Sequence, residues 1–367
     1  MEKGKGKMFI GMEGAKRDGV RDQRIAKVVE LVPPERLLEE LPLGEEPAKV
    51  VVKGREEVRE VLHGRDPRLM VVVGPCSVHD PKAALEYATK LSATARALRG
   101  ELLIVMRVYF EKPRTTTGWK GLINDPHLDE SGDVNAGLRI ARKLLLEVLD
   151  TGLPIGCEFL DPITPQYIAD AVAWGAIGAR TSESQTHRQL ASGLSMPIGF
   201  KNRTDGNIQV AVDAVRAAGV SHAFAGIDDA GMPAILHTTG NPDCHIILRG
   251  GHGMPNYHLP EVEDALVTLG VAGLPEQLVI DASHDNSGKD PEKQFFAAGE
   301  IADQVADGNK AIVGVMLESF LVEGRQNLVQ GEDLTYGQSI TDACIDWEDT
   351  VSALERFASA VEARRGS

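Results

Sequence analysis

The chain has 367 residues, of which 43% are hydrophobic, so it can bury a large core in one barrel or in two ordinary domains. Its formal net charge of −15 argues against nucleic acid and anionic membranes as partners, because both require a basic surface. The four cysteines lie far apart without a Cys-x-x-Cys pair, and no apolar run is long enough to span a membrane. These features predict a cytoplasmic protein without disulfide bonds.

Residues 1–67 are predicted to form an N-terminal extension. Met1–Arg21 is rich in Gly and Lys and lacks periodicity, which predicts a mobile segment. A short helix is predicted from Asp22 to the pair Pro33-Pro34, which ends it. The prediction of this helix is based on apolar residues at helical spacing, namely Ile25, Val28, Val29 and Val32. A second helix is predicted at about Pro47–His63.

From residue 68 to 367, strand-like apolar runs alternate with amphipathic helical patterns. The predicted strands are Leu69–Val73, Leu102–Val108, Pro154–Phe159, Ala176–Ala179, Pro197–Phe200, His245–Leu248, Leu278–Ile280 and Ala311–Leu317. The clearest helices are Pro81–Leu98, Val134–Leu149 and Pro291–Val305. Eight strand–helix units favour an α/β fold of the (β/α)8 TIM-barrel class. The alternative, a doubly wound open sheet, lacks the expected glycine fingerprint after the first strand.

Residues 222–239 interrupt this alternation. His222–Asp228 and Pro233–Thr239 are short alternating runs on either side of Asp229-Ala230-Gly231, which predicts an inserted β-hairpin. The hairpin and the N-terminal extension are additions to the barrel. We expect them to serve in assembly or regulation, or simply to stabilise the fold.

Each predicted strand ends in a reactive or charged residue. These residues are Cys76, Arg107, Glu158, Arg180, Lys201, Arg249, His284 and Glu318. Active sites in this fold lie at the C-terminal ends of the strands, so all eight are expected around one opening. Small residues stand two positions earlier in five strands and share the same face: Gly74, Gly156, Gly178, Gly199 and Ala282. They are expected to leave room inside the barrel for long polar side chains.

Cations dominate this set. Arg107 lies inside an apolar run, and the loop that follows it adds Lys112, Arg114, three threonines and Lys120. Such a concentration of positive charge predicts a ligand with several negative charges, or two anionic ligands. Cys76, His284 and Glu318, with Asp342 from the loop after the last strand, offer mixed S, N and O donors. These donors would suit a divalent transition metal ion.

Seven motifs together resemble type I 3-deoxy-D-arabino-heptulosonate 7-phosphate synthase, from about Asp22 to the C-terminus. They are Gly74-Pro75-Cys76-Ser77, Met106–Asn124, Gly178-Ala179-Arg180-Thr181, Gly199-Phe200-Lys201-Asn202, Leu248-Arg249-Gly250-Gly251, Ser283-His284 and Ser339–Cys344. The resemblance implies a barrel enzyme of the shikimate pathway that condenses phosphoenolpyruvate with erythrose 4-phosphate. It also implies a divalent metal ion (Mn, Fe, Co or Zn) and an aromatic amino acid as feedback inhibitor.

The matching motifs imply a role for each site residue. Cys76, His284, Glu318 and Asp342 match the metal ligands. Phosphoenolpyruvate would contact Arg107, Lys112, Glu158, Ala179, Arg180, Lys201 and Arg249. Erythrose 4-phosphate would contact Arg114 and Thr115. The residues expected to act in catalysis are Cys76, Lys112, His284 and Glu318, and the sequence leaves open which group handles the protons.

Regulation and assembly follow from the same resemblance, which implies a homodimer or homotetramer. The effector is expected between the hairpin, nearby barrel helices and the N-terminal segment of a neighbouring subunit. The matching positions are Asp22, Ile25, Pro165, Gln166, Leu190, Leu194, Phe224, Gly226 and Leu236. Tyrosine-inhibited relatives tend to have glycine where phenylalanine-inhibited ones have serine, so Gly226 favours tyrosine.

Two other functions remain as alternatives. The related 3-deoxy-D-manno-octulosonate 8-phosphate synthase usually has Lys-Ala-Asn-Arg-Ser at the position of Lys112-Pro113-Arg114-Thr115, and it lacks the extension and hairpin. A non-catalytic phosphosugar sensor would need the cations but not the metal ligands. One departure from the family pattern is Arg203, where glycine is usual. If that position required a positive φ angle, arginine would cost about 1 kcal/mol.

Overall fold

The structure is a computed structural model that describes residue 20 and residues 22–114, 118–329 and 331–366. The strands are β1 Leu69–Gly74, β2 Leu102–Arg107, β3 Ile155–Glu158, β4 Trp174–Ile177, β5 Ile198–Lys201, β6 Ala223–Ile227, β7 Pro233–His237, β8 His245–Leu248, β9 Leu278–Asp281, β10 Ile312–Glu318, β11 Val322–Arg325 and β12 Gln338–Ser339. The helices are α1 Pro34–Glu40, α2 Glu45–Leu62, α3 Pro81–Ala97, α4 Val134–Asp150, α5 Pro165–Ile168, α6 Gln185–Gly193, α7 Gln209–Ala218, α8 Leu259–Val271, α9 Pro291–Ala306 and α10 Trp347–Gly366.

Eight parallel strands close into a barrel in the order β1, β10, β9, β8, β5, β4, β3, β2. Strand β5 pairs with β8 because β6 and β7 leave the barrel and pair with each other as an antiparallel hairpin. The predicted (β/α)8 barrel with an inserted hairpin is therefore confirmed. Among the described residues, no helix has the length and apolar composition that crossing a bilayer would require.

The core has two layers, since alternate residues of each strand face opposite sides. Most buried apolar residues lie between the strands and the surrounding helices. A smaller apolar cluster fills the barrel itself and includes Met70, Leu103 and Trp174. Val58 and Leu62 of α2 belong to this inner cluster, so α2 covers the N-terminal end of the barrel. Helix α2 agrees with the predicted second helix to within two residues at its start.

The prediction of a helix from Asp22 is wrong. The segment 22–33 has no helical residues, and the first helix begins at Pro34. Pro33 is extended with ψ 145°, as a residue that precedes proline prefers, and Pro34 takes the first helical position. The proline pair therefore starts a helix instead of ending one. Strand β4 also begins two residues before the predicted strand, because Trp174 pairs with Gly156 of β3.

Aspartate side chains fix where the helices around the barrel begin. Asp80, Asp133 and Asp290 accept hydrogen bonds from backbone N–H groups in the first turns of α3, α4 and α9. Pro81 and Pro291 then occupy the first helical position. Because each helix begins at a fixed residue, the preceding loop at the C-terminal end of the strand has a defined length and can hold polar residues.

The N-terminal segment contacts the same side of the barrel as the hairpin. The Glu35 N–H donates to the carbonyl of Asp229 in the hairpin turn over 2.8 Å. The Tyr167 hydroxyl donates to the carbonyl of Val32 over 2.6 Å, and Gln166 Nε2 donates to the carbonyl of Ile227 over 3.4 Å. Residues 165–168 thus lie between the hairpin and the N-terminal segment.

Candidate active site

The C-terminal ends of the barrel strands surround a cavity of about 190 Å³. Ten predicted site residues line it: Arg107, Lys112, Arg114, Glu158, Ala179, Arg180, Lys201, Arg249, His284 and Asp342. Cys76 and Glu318 are buried and contact lining residues through Lys112 and Arg107. The prediction that Thr115 contributes to the site falls outside the described residues.

Inward-facing glycines leave space for these side chains. A Cβ atom on Gly178 would lie 2.7 Å from Oε1 of Glu158, and one on Gly74 would lie 2.5 Å from the carbonyl oxygen of Arg107. The expectation of small residues below the polar ones is wrong in β9, however. Ala282 packs in the outer core, and its neighbour Asp281 reaches the cation Lys201. The strand therefore places Asp281 inside the barrel, where the sequence pattern suggested Ala282.

Three buried cations of the site are each paired with a carboxylate. Arg107 Nη2 lies 2.9 Å from Glu318 Oε1, and Lys201 Nζ lies 3.0 Å from Asp281 Oδ2. Arg249 Nη1 pairs with Asp285 in the same manner. Such pairing lets arginine and lysine remain charged in the barrel interior, where an isolated ion would be strongly disfavoured.

Two guanidinium nitrogens remain available to a ligand. Among the described residues, Arg107 Nη1 and Arg249 Nε are buried without a hydrogen-bond partner. An unsatisfied buried donor costs about 1–3 kcal/mol, and an oxyanion in the cavity would remove that cost. The Arg107 guanidinium is held in place, since Nε donates to the carbonyl of Pro75 and the group lies 3.7 Å from the centre of the Tyr109 ring.

Three of the four predicted metal ligands come together. One donor atom each from Cys76, Glu318 and Asp342 lies within 4.8 Å of the other two. The Lys112 ammonium lies at this group, 2.8 Å from Cys76 Sγ and 3.0 Å from Asp342 Oδ2. Sulfur and carboxylate donors that converge on a cation fit a divalent transition metal ion.

The charges at this group depend on one another. Burial and the Glu318 carboxylate raise the pKa of the Cys76 thiol to about 11. Burial alone would lower the pKa of Lys112, but Cys76 and Asp342 outweigh it and raise that pKa. Burial opposes ionisation of Asp342, yet Lys112 and Lys289 hold the pKa of its carboxyl well below its usual range. Lys112 and Asp342 are therefore both charged at neutral pH.

The fourth predicted ligand, His284, lies beside the same group. Its Nε2 is 3.8 Å from Oε1 of Glu318, and its Nδ1 is 2.9 Å from Oδ2 of Asp281. His284 has φ 56°, a left-handed conformation that is unfavourable for a residue other than glycine. The strained backbone places the ring between the metal donors and the cations.

Sequence reasoning missed five polar residues of the site. Tyr109, Glu111 and Lys289 line the cavity, while Asp281 and Asp285 hold its cations. Tyr109 and Glu111 continue the two-residue spacing from Arg107, so strand alternation could have identified them. No sequence pattern indicated Lys289. The loop after β9 brings its ammonium to the cavity, where Nζ lies 2.9 Å from Asp342 Oδ1.

Glu111 is a buried carboxylic acid beside the cations. Burial, with a smaller contribution from Asp161, raises its pKa to about 8. Its closest hydrogen-bond partners are the Leu160 N–H at 3.4 Å and the Thr164 hydroxyl at 3.5 Å, and both contacts are long. Glu111 is therefore mainly protonated at neutral pH and can exchange a proton within the cavity.

Comparison with protein-family models matches residues 45–355 to the DAHP synthetase I family. The chain belongs to the DAHP synthetase I family. The Phe-sensitive phospho-2-dehydro-3-deoxyheptonate aldolase of Escherichia coli (strain K12) is 59% identical over 345 residues, which are 94% of this chain and 98% of that protein. The Tyr-sensitive protein of the same name and strain is 51% identical over 342 residues, which are 93% and 96% of the two chains.

A solved relative has the same fold. The phospho-2-dehydro-3-deoxyheptonate aldolase of Francisella tularensis SCHU S4 superposes with a TM-score of 0.91 at 51% identity, covering 93% of this chain and all of that one. The predicted enzyme class, 3-deoxy-7-phosphoheptulonate synthase, is confirmed by this family membership. The family joins phosphoenolpyruvate to erythrose 4-phosphate in the shikimate pathway and is generally metal-dependent.

The predicted effector residues of this family member do not line the cavity. Phe224 faces Leu236 across the hairpin, and a Cβ atom on Gly226 would lie 2.7 Å from Leu236 Cδ1. Leu190 and Leu194 lie at the end of α6, where the Ser192 hydroxyl bonds to that of Thr238 at the base of the hairpin. Pro165 and Gln166 belong to α5, and Gln166 contacts the hairpin at Ile227. Asp22 and Ile25 lie at the start of the described chain, with Ile25 half exposed.

Proposed function

We propose that the cavity binds phosphoenolpyruvate through a phosphate clamp formed by Arg107, Lys112, Arg180, Lys201 and Arg249, assisted by Glu158 and Ala179. The observation that carries this proposal is the buried cation set with free N–H groups on Arg107 and Arg249. Arg114 lines the outer part of the cavity and is exposed, which suits the phosphate of the second substrate, erythrose 4-phosphate. Thr115 is proposed as its neighbour on that phosphate.

The metal would be held by Cys76, His284, Glu318 and Asp342. A bound Mn²⁺, Fe²⁺, Co²⁺ or Zn²⁺ ion would act as a Lewis acid toward the aldehyde of erythrose 4-phosphate. Mixed S, N and O donors discriminate weakly among these ions, so the native one depends on availability.

The chain itself brings the two substrates together. Their phosphates repel each other, and the clamp and Arg114 offset this repulsion while fixing the reacting carbons close to each other. A bond forms between C3 of phosphoenolpyruvate and the aldehyde carbon while the C=O π bond opens and its oxygen takes up a proton. Water adds at C2, the C2–O bond to phosphate breaks to leave the ketone, and the two protons that water gives up balance those gained by the aldehyde oxygen and the leaving phosphate. Glu111, protonated at neutral pH, is suited to supply a proton to the leaving phosphate.

Phosphate release tests this function directly. We expect rapid release from phosphoenolpyruvate with erythrose 4-phosphate, and little with arabinose 5-phosphate or without a sugar phosphate. Preference for arabinose 5-phosphate would instead indicate 3-deoxy-D-manno-octulosonate 8-phosphate synthase. Binding of both sugars without any release would indicate a sensor.

We further propose feedback inhibition by tyrosine at the hairpin. The relative with the higher overall identity is Phe-sensitive, but the identity of the effector depends on the few residues around the ring. The proposal depends on the residue type at position 226, since tyrosine-inhibited members of the family tend to have glycine there; Leu236 lies close enough to Gly226 that any side chain would contact it. Titration with each aromatic amino acid under identical substrate concentrations tests this proposal.

The proposed assembly is a homodimer or homotetramer in which the N-terminal segment before Pro34 reaches a neighbouring subunit. Exposed apolar residues near the effector positions support it, since Val28 is 79% exposed and Ile235 on the hairpin is 71% exposed. Analytical ultracentrifugation of the full chain and of a chain lacking residues 1–33 would measure the assembly. An unchanged monomer in both would contradict it.

A further inference from the structure

Asp281 lies between the phosphate clamp and the metal donors. This residue is fully buried at the end of β9. One carboxylate oxygen, Oδ2, is 3.0 Å from Lys201 Nζ and 2.9 Å from His284 Nδ1. A clamp cation and a proposed metal ligand therefore share a single oxygen atom.

The second oxygen of Asp281 fixes the geometry of this contact. Ser283 donates to Oδ1 through its hydroxyl at 2.5 Å and through its N–H at 3.0 Å. The same hydroxyl lies 2.7 Å from His284 Nδ1. Because this hydroxyl donates to Asp281, its oxygen accepts from Nδ1, so the ring carries its proton there and Nε2 is left as the lone-pair donor toward Glu318. Asp281 Oδ2 lies within ion-pair distance of His284 and Lys201 but makes no hydrogen bond of good geometry with the described residues, so Asp281 orients the ring through Ser283. Carboxylates that orient a ligating histidine in this way commonly strengthen metal binding.

Lys201 depends on the same carboxylate. Its side chain is 3% exposed, and Asp281 is the one acidic partner within salt-bridge distance among the described residues. Loss of that partner would leave a buried ammonium without a counter-ion, which favours movement of the side chain away from its position. Arg249 provides a comparison, because its carboxylate partner, Asp285, forms no ion pair with His284 among the described residues.

We propose that Asp281 is a positioning residue that supports metal binding through His284 and phosphoenolpyruvate binding through Lys201. This inference rests on the proposed function, since it assumes that His284 ligates the metal and that Lys201 contacts the substrate. It adds that the two binding sites depend on one buried side chain.

The test compares Asp281→Asn with Asp285→Asn, a matched change in the same loop. Calorimetry on metal-stripped protein measures Mn²⁺ affinity, and steady-state assays at saturating Mn²⁺ measure both KM values. For Asp281→Asn we expect Mn²⁺ to bind roughly 10–100-fold more weakly. We also expect the KM for phosphoenolpyruvate to rise at least about tenfold, while the KM for erythrose 4-phosphate stays within about twofold of the wild-type value. Asp285→Asn should raise only the KM for phosphoenolpyruvate.

A change in only one of the two affinities of Asp281→Asn, or in neither, would overturn the inference. Circular dichroism and the thermal midpoint show whether this variant folds. If it does not fold, Ser283→Ala is the second variant, because it keeps the ion pair between Asp281 and Lys201. Ser283→Ala should weaken Mn²⁺ binding at least about threefold without altering the KM for phosphoenolpyruvate. An unchanged Mn²⁺ affinity would then refute the proposal. Wild-type protein that neither binds Mn²⁺ nor releases phosphate would instead refute the proposed function.

Discussion

The Lys112 ammonium and the Cys76 sulfur are in direct contact, with Nζ 2.8 Å from Sγ. Lys112 belongs to the proposed phosphate clamp and Cys76 to the proposed metal donors, so the two proposed functions meet at this contact. Because Asp342 lies 3.0 Å from the same Nζ, the donors are already arranged around a positive charge. A metal ion and Lys112 would share these partners, which links metal binding to the position of a substrate-binding cation.

Removal of the metal should abolish turnover. We expect a strong chelator to reduce phosphate release to background, and Mn²⁺, Co²⁺, Fe²⁺ or Zn²⁺ to restore it, because the mixed donors accept all four ions. Cys76→Ala should not be restored at ordinary metal concentrations. Cys244→Ala is the matched control, since this thiol lies at the opposite end of the barrel beside α2 and should leave activity and metal response intact. Full turnover in metal-free buffer would contradict the prediction.

Arg114→Ala should affect one substrate more than the other. Its guanidinium Nε donates to the carbonyl of Trp119, and the exposed side chain lines the cavity. Loss of a charge-assisted phosphate contact should raise the KM for erythrose 4-phosphate by about tenfold or more, with less than about threefold change for phosphoenolpyruvate. Arg216→Ala on α7 serves as a surface control. Equal increases for both substrates would show that Arg114 positions the whole site.

Stability should depend on pH through Glu111. Its pKa of about 8 in the folded chain exceeds the ordinary value of 4.5, so between these values the unfolded chain releases a proton that the folded chain keeps. The free energy of unfolding therefore falls as pH rises through this window. Between pH 5 and pH 8.5, the free energy of unfolding of Glu111→Gln should therefore rise relative to that of the wild type by on the order of 3 kcal/mol.

Urea unfolding at equal protein concentration measures this difference at both pH values. Glu263→Gln, on the exposed side of α8, is the matched control and should follow the wild type. Parallel pH profiles for wild type and Glu111→Gln would show that the buried carboxyl does not titrate as expected.

The proposed effector site can be tested at Gly226. A side chain there meets Leu236, so Gly226→Ser should narrow the space and weaken tyrosine inhibition by about tenfold, in favour of phenylalanine. Ala225→Ser, on the opposite and exposed face of β6, should leave inhibition unchanged. Deletion of Met1–Pro33 removes the Val32 contact to Tyr167 and should abolish inhibition while much of the turnover remains. Equal tyrosine sensitivity with and without the segment would refute the site.

Most of the barrel could be predicted from the sequence because strand–helix alternation is a local pattern. The eight strands, the hairpin and the helix starts at Pro81 and Pro291 depend on residues close together in the chain. The polar residue at each strand end was visible for the same reason. Family motifs then supplied the roles, which spacing alone left open.

The remaining features depend on contacts between distant residues. Asp281 was missed because residues 280–283, at the end of β9 and directly after it, read as Ile-Asp-Ala-Ser, and only the pairing with Lys201 shows which of them points inward. Arg203 was expected to be strained if the position required a positive φ, but it is absent from the positive-φ residues of the described chain. Its guanidinium instead pairs with Glu183 at 2.8 Å and Asp205 at 3.1 Å. Asp205 is local, but Glu183 stands 20 residues earlier in the chain and could not be recognised as a partner from the segment around Arg203.

Helix α2 covers the N-terminal end of the barrel and the cavity lies at the C-terminal ends of the strands, so we expect substrates to enter and products to leave on the same side. The phosphate released at C2 must leave along the route by which phosphoenolpyruvate entered, past cations such as Arg180 and Arg114. Their attraction, useful during capture, then opposes escape of the product. We expect departure of inorganic phosphate to limit turnover at low ionic strength, and moderate salt, which screens exposed charges, to accelerate it.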